Sequence, residues 1–209
     1  MKKTKFFTLI FLFASSIVFG QQNANELLKA AIEKMQSYET IEIVFDYKMQ
    51  NKTAGINEVK SGNLFLKGNA YNLSIDGHQI ICDGKTIWSF FSDNKEVMVS
   101  DVDQDEEAIT PDKLFTTDFH QFESSFVTVT ETKPYKTIEL KSDENKDFDK
   151  IWLEIDEKKL EIRKFTMYDD NGTAFIYDLK KFQPNVKLTA DYFYFDTTKY
   201  PDVEVIDMR

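Results

Sequence analysis

The sequence predicts a mainly β protein with helices, in which an antiparallel sheet of about ten or more strands curls into an open or closed barrel. The chain of 209 residues is 42% hydrophobic and 30% charged, with 7 Gly and 4 Pro, a globular composition that suits a single domain. From Ile41 onward, short runs alternate between hydrophobic and polar residues or are continuously apolar. Turn sequences rich in Asp, Asn and Gly separate these runs, which is typical of hairpins connected in series.

Residues 1–20 have the pattern of a secretory signal peptide. Three Lys among the first five residues precede an apolar stretch at residues 6–19, and Gly20 then meets a polar run that begins with Gln21. The apolar stretch is shorter than the ~20 residues that a membrane-spanning helix needs, and a short N-terminal anchor is the alternative interpretation. We predict cleavage near Gly20 and Gln21 and an exported mature protein in which residues 21–209 form one domain.

Residues 24–38 are predicted to form a helix, because their hydrophobic side chains recur at helical spacing. The members of this apolar stripe are Leu27, Leu28, Ala31, Ile32 and Met35. From Ile41 the period changes to two, and residues 41–50 are predicted to form a strand with one buried and one solvated face. A turn at residues 51–57 follows.

The other strands are predicted from short runs between turn sequences. They are residues 59–67, 70–75, 79–82, 86–91, 96–100, 126–130, 135–141, 148–155, 161–168, 173–180 and 191–195. An insert at residues 111–122 interrupts the sheet, and its spacing of Leu and Phe favours short helical turns over a strand. Pro111 is well placed at the start of a helix.

Composition excludes several functional classes. A formal net charge of −10 argues against binding to nucleic acid and against electrostatic docking on anionic lipid. One Cys excludes an intramolecular disulfide and a zinc site built on several thiolates, and two His argue against a metal site or catalytic triad built on histidine. His78 and His120 are interpreted as surface or lid residues. We predict no catalytic residues, no metal and no cofactor; an exported hydrolase is the weaker alternative.

The interior of the predicted barrel has two possible interpretations. Aromatic residues make up 14% of the chain, with 19 Phe, and they are frequent in the strands and in the insert. In the first interpretation, helices and side chains fill the sheet as an ordinary core. In the second, they line a cavity for an apolar ligand, with the insert as a lid. Periodicity alone does not separate the two.

Three segments carry a more specific pattern. Residues 62–67 form a Gly-x-Leu strand, residues 69–73 a strand with an aromatic side chain, and residues 83–88 an Asp-Gly-Lys-x-hydrophobic-Trp turn. In this order and spacing they resemble the LolA family of periplasmic lipoprotein carriers. The flanking features are similar as well: a signal peptide, an amphipathic helix, a Phe-rich insert and a late Phe-x-Phe at Phe193 and Phe195. The resemblance implies an incomplete β-barrel whose apolar cavity is covered by a helical lid.

The resemblance also implies a function. The expected protein is a periplasmic chaperone that binds acyl chains of lipoproteins and carries them from the inner to the outer membrane. Expected partners are acylated lipoproteins or lipids as cargo and an inner-membrane ABC transporter as donor, with an outer-membrane acceptor that the sequence does not identify. The protein is expected to act as a monomer and not as an enzyme. An envelope module that senses lipids or lipoproteins on the same fold is the alternative.

The resemblance to the family suggests which side chains line the acyl-binding cavity and which belong to the lid. The acyl-binding cavity is expected to be lined by Ile43, Phe45, Leu64, Leu66, Tyr71, Leu73, Ile75 and Trp88. The lid is expected to contribute Leu114, Phe115, Phe119 and Phe122. One position departs from the family: Gly68 and Asn69 follow Lys67, where members of the best-known type carry an Arg-Pro pair whose Arg helps to hold the lid closed.

Overall fold

The computed structural model describes residues 15–102, 122–128, 134–141 and 148–209, which contain one α-helix and twelve strands of a single sheet. The elements are α1 (Ser15–Gln36), β1 (Ile41–Asn51), β2 (Ile56–Lys67), β3 (Ala70–Ile75), β4 (His78–Cys82), β5 (Thr86–Phe91), β6 (Glu96–Asp101), β7 (Glu123–Phe126), β8 (Lys136–Lys141), β9 (Lys150–Asp156), β10 (Glu161–Tyr168), β11 (Ala174–Pro184) and β12 (Glu204–Asp207). Two short 3-10 helices, Ala190–Phe193 and Thr197–Lys199, precede β12.

The sheet consists of two meanders, the first formed by β1–β6 and the second by β7–β11, which are joined where β1 pairs with β11. Its strand order is β12-β6-β5-β4-β3-β2-β1-β11-β10-β9-β8-β7, and the described strands leave it open between β12 and β7. The prediction of a mainly β fold with a large open sheet is confirmed. Neighbouring strands are antiparallel, except that β12 runs parallel to β6, so the prediction of a purely antiparallel sheet is wrong at this edge.

The period of two in β1 produces one continuous buried face. Ile41, Ile43 and Phe45 are each at most 5% exposed, while the residues between them are half-buried. The pairing of β1 with β11 shifts between Val44 and Phe45, and the extra residue, Lys180, belongs to β11. The alternation along β1 is therefore unbroken, and its buried side chains all lie on the same face.

Helix α1 packs across this face. It begins at Ser15, earlier than predicted, and ends at Gln36. Its apolar stripe contacts β7 and β10 and buries Ala24, Leu28, Ala31 and Met35 in the same hydrophobic cluster as the strands. We call the sheet face that packs against α1 the concave face, and the opposite face the convex face.

The turn between β4 and β5 explains the Asp-Gly-Lys pattern physically. The Asp83 carboxylate accepts hydrogen bonds from the backbone N–H groups of Lys85 (2.9 Å) and Thr86 (2.8 Å). Gly84 adopts a φ of +94°, a conformation that is strained for side chains with a Cβ. These three residues therefore form a tight hairpin turn, and no chemistry is needed to account for them.

The segment after β11 crosses the convex face of the first meander. Residues 191–195, predicted to form a strand, instead form a 3-10 turn followed by extended chain. Phe195 packs into a second hydrophobic cluster on the convex face, formed with Ile81, Trp88, Val97 and Val99. The alternation of aromatic residues that suggested a strand thus reflects a segment with one face on the sheet and the other in solvent.

Candidate ligand-binding site

Seven of the eight predicted cavity residues lie on the concave face. Six are buried and one, Ile75, is half-buried: Ile43, Phe45, Leu64, Leu66, Tyr71, Leu73 and Ile75. The strand register brings them together, because Ile43 pairs with Leu64, which in turn pairs with Leu73. They share one cluster with α1. Their role in ligand binding stays a prediction.

The prediction that Trp88 lines the cavity is wrong. It pairs with Ile81, and both belong to the cluster on the convex face, where the Trp88 ring lies 5.2 Å from the ring of Tyr194. Its neighbour Ile87 belongs to the concave cluster instead. Because successive side chains of a strand point to opposite faces, Trp88 cannot line the same surface as Leu73.

The predicted lid falls mostly outside the described residues. Leu114, Phe115 and Phe119 lie there, so the lid stays a prediction. Phe122 is described: it is 9% exposed and packs in the concave cluster immediately before β7. The last of the four predicted lid residues therefore contacts the concave cluster.

An aromatic group on β1, β10 and β11 completes the concave face. The Tyr177 ring lies 5.7 Å from that of Phe45, 5.1 Å from that of Tyr47 and 6.3 Å from that of Phe165. Tyr177 and Phe165 were not among the predicted site residues. The alternation of Phe175, Tyr177 and Leu179 along β11 could have indicated Tyr177, because it places large apolar groups on one face of the strand.

Both tyrosine hydroxyls of this group stay protonated at neutral pH. Burial raises the pKa of Tyr177 well above its ordinary value, and the neighbouring Tyr47 raises it further. Burial, followed by the charge of Glu58, raises the pKa of Tyr47. Two neutral phenols on a half-buried apolar surface can donate hydrogen bonds to a ligand without adding charge to the surface.

Gly62 makes room for the Phe45 ring. A Cβ added to Gly62 would lie 2.4 Å from Cζ of Phe45, closer than two carbon atoms can approach. The ring therefore lies directly over the backbone of β2. The Gly of the Gly-x-Leu pattern has a packing role here, since it allows a large aromatic side chain to cross the adjacent strand.

A depression of about 280 Å³ opens where the end of α1 meets the turn between β2 and β3. Apolar and polar side chains line it: Met35, Gln36, Tyr38, Glu39, Ile41, Leu66, Gly68 and Asn69. Its apolar members belong to, or pack against, the concave cluster. Nothing lies within 4 Å of a Cβ added to Gly68, so a longer side chain has space to extend here, although the φ of +56° strains any residue other than Gly.

We expect Gly68→Arg to weaken acyl-chain binding by about tenfold. An Arg at the position of the family latch can form charge-assisted hydrogen bonds, each contributing roughly 1.5–3 kcal/mol, that favour a closed lid. Closure of the predicted lid would compete with acyl binding for the concave apolar surface, so we expect the affinity to fall. Titration with a fluorescent fatty acid measures this. Gly55→Arg is the matched control, since Gly55 has a φ of +69° and open space around it. Unchanged or tighter binding by the Gly68 variant would contradict a latch at this position.

An open sheet packed around one helix, with half-buried aromatic side chains on the concave side, defines the class of open-barrel folds. The family model for the outer membrane lipoprotein carrier protein LolA matches residues 36–196. The chain belongs to the LolA family, and the resemblance noted in the sequence is confirmed. None of the curated proteins compared with the chain matches it.

A solved structure shows the same fold. This uncharacterized conserved protein from Thermus thermophilus is 14% identical with a TM-score of 0.58, over 89% of this chain and 99% of that one. A LolA superfamily protein from Nitrosomonas europaea is 12% identical with a TM-score of 0.45, over 83% of this chain and 98% of that one. The lipoprotein LppX of Mycobacterium tuberculosis is 8% identical with a TM-score of 0.49, over 81% of this chain and 99% of that one.

Within the described residues, no helix combines the length and the apolar character that crossing a membrane requires.

Proposed function

We propose that the protein is a periplasmic carrier that binds acyl chains of lipoproteins or lipids on its concave face and transfers them from the inner to the outer membrane. The observation that carries this proposal is the continuous apolar surface formed by both meanders. Its centre is buried, but its margins are only half-buried at Ile75, Ile80, Phe175 and Tyr177. Membership of the LolA family supports the same function.

The concave apolar surface is suited to burying an acyl chain during its passage through water. Exposing an acyl chain to water costs about 0.8 kcal/mol per methylene, so a long chain crosses an aqueous compartment only when a protein buries it. Half-buried Ile, Phe and Tyr side chains offer such contacts without a charge that would need desolvation. A ligand that covers them completes the burial of the concave face.

The convex side of β1 and β11 has the opposite character. Lys180 lies 2.7 Å from Asp178 and 3.5 Å from Asp46, and Lys48 lies 3.4 Å from Asp178. Such partly exposed ion pairs contribute little to stability, but they keep this face hydrated. Together with a net charge of −10, they favour a carrier that stays in solution and does not adsorb to anionic membranes.

The donor and the export route belong to the same proposal. We infer an inner-membrane ABC transporter as donor and an outer-membrane acceptor, in line with the family's role as an outer membrane lipoprotein carrier. Export follows from the basic and apolar pattern of residues 1–20, with cleavage near Gln21.

Native mass spectrometry of the protein isolated from the periplasm of its own source tests export and cargo together. We expect a polypeptide mass that begins at or near Gln21, with additional peaks from bound lipid or acylated protein that disappear on delipidation. An unrelated exported protein purified in parallel controls for carry-over of membrane lipid. A full-length protein retained in the membrane contradicts the export step. A mature protein that never carries acyl ligand contradicts the carrier function.

A further inference from the structure

His78 lies on the concave face, in a row of side chains that crosses the first meander. In this row Phe45 pairs with Gly62, Gly62 with Ile75, Ile75 with His78, and His78 with Phe91. The imidazole stacks on the Phe91 ring at 4.2 Å with an interplanar angle of 11°. The interpretation of His78 as a surface or lid residue is thus corrected: it is a half-buried polar group within an apolar row.

The Nε2 atom of His78 is buried and has no hydrogen-bond partner among the residues that the structure describes. A buried nitrogen without a partner is costly, and such atoms in folded proteins are normally satisfied by protein, water or ligand. Burial lowers the pKa of His78 below its ordinary value. The imidazole is therefore neutral near pH 7, with one N–H to donate and one nitrogen to accept.

This row is also the last apolar row before a charged margin. One step further along β2, Lys60 pairs with Tyr47 across the sheet and forms an ion pair of 2.9 Å with Asp76, in the turn between β3 and β4. At the far end of the row, Phe91 pairs with Glu96. His78 therefore stands between apolar side chains on one side and charged ones on the other.

An acylated glycerol has the same order of groups: an apolar chain, then an ester, then a polar head. We propose that Nε2 of His78 donates a hydrogen bond to the ester carbonyl of the bound lipid and so determines how deeply the acyl chain enters the concave face. This inference rests on the proposed carrier function and adds the chemical group that the site recognises. It makes His78 a specificity-determining residue, with the stacked Phe91 as the group that orients it.

The test compares a long-chain monoacylglycerol with the ether-linked analogue of the same chain, since the ether lacks the carbonyl. Both are titrated into delipidated protein by calorimetry. The wild type is expected to bind the ester about tenfold more tightly, as one net hydrogen bond provides. His78→Leu should reduce this ratio to near one without weakening the ether lipid. His78→Gln, which keeps an N–H donor, should restore part of the preference.

Gln79→Leu is the matched control, because Gln79 lies on the opposite face of β4 and donates to Asn72 there; it should keep the wild-type ratio. Equal binding of ester and ether by the wild type would overturn the role of His78 and leave the carrier function intact. Equal loss of both lipids in His78→Leu would also overturn it, since that result indicates a packing role. Failure of the wild type to bind either lipid would overturn the carrier function itself.

Discussion

Leu73→Glu is expected to unfold the protein. Leu73 is 5% exposed and lies in the concave cluster, where its strand partner Leu64 is 0% exposed. Removing the Leu side chain from such a position costs about 2–5 kcal/mol, and an unpaired buried carboxylate adds several more. That sum approaches the whole stability of an ordinary domain, about 5–15 kcal/mol. Circular dichroism during urea denaturation measures the loss.

A second substitution, at the residue that pairs with Leu73 on β4, distinguishes the structural core from the ligand-binding surface. Ile80 pairs with Leu73 but is half-buried, so Ile80→Glu should leave the protein folded while reducing the affinity for an acyl probe by more than about tenfold. Gln79→Glu, on the convex face of the same strand, should affect neither. A folded Leu73 variant that fails to bind would show that Leu73 itself lines a cavity. A folded Ile80 variant that binds normally would exclude the concave margin as the site.

Gly62→Ala is expected to destabilise the protein by roughly 1–3 kcal/mol, the usual cost of overpacking a core. The new methyl group would lie 2.4 Å from Cζ of Phe45, which is itself 2% exposed and has little space to move. The ring must shift, and its contacts with Tyr177 shift with it. The acyl affinity should fall as well, because these rings form part of the proposed site.

A double-mutant cycle with Phe45→Leu tests whether collision with the Phe45 ring causes the destabilisation of Gly62→Ala. Each single substitution should be destabilising, but the pair should be less destabilising than the sum, since the shorter Leu side chain removes the collision. Urea denaturation of the four proteins gives the coupling free energy. Additive effects would show that the Phe45 ring is not the obstacle, and that Gly62 is required for another reason.

The sequence predicts the strands best where turn residues mark both ends. β3, β5 and β10 have the predicted bounds, residues 70–75, 86–91 and 161–168. Gly, Asp or Asn lies near both ends of β3 and β5 and directly after β10. β12 was missed, since its four residues are all exposed and show no alternation of burial that a pattern could reveal. Its position in the sheet depends on pairing with a strand far away in the chain.

It was harder to predict which face of the sheet each side chain of the site occupies. Periodicity separates the two faces of a strand but does not say which one meets α1. In β3 the family alignment placed Tyr71, Leu73 and Ile75 on the concave face, as observed. In β5 it selected Trp88, although its neighbour Ile87 is the one that points to the concave cluster. The convex cluster around Phe195 explains the error, because it gives large apolar residues a second place to be buried.

The parallel pairing of β12 with β6 has a consequence for aggregation. β6 is the last strand of the first meander, and without β12 its outer edge would present unpaired backbone N–H and C=O groups beside Val97 and Val99. Such an edge is a template for intermolecular strand pairing. β12 replaces it with a short strand that carries Glu204 and Asp207, whose charges disfavour further strand addition. We expect a chain truncated before Glu204 to lose this protection and to self-associate more readily.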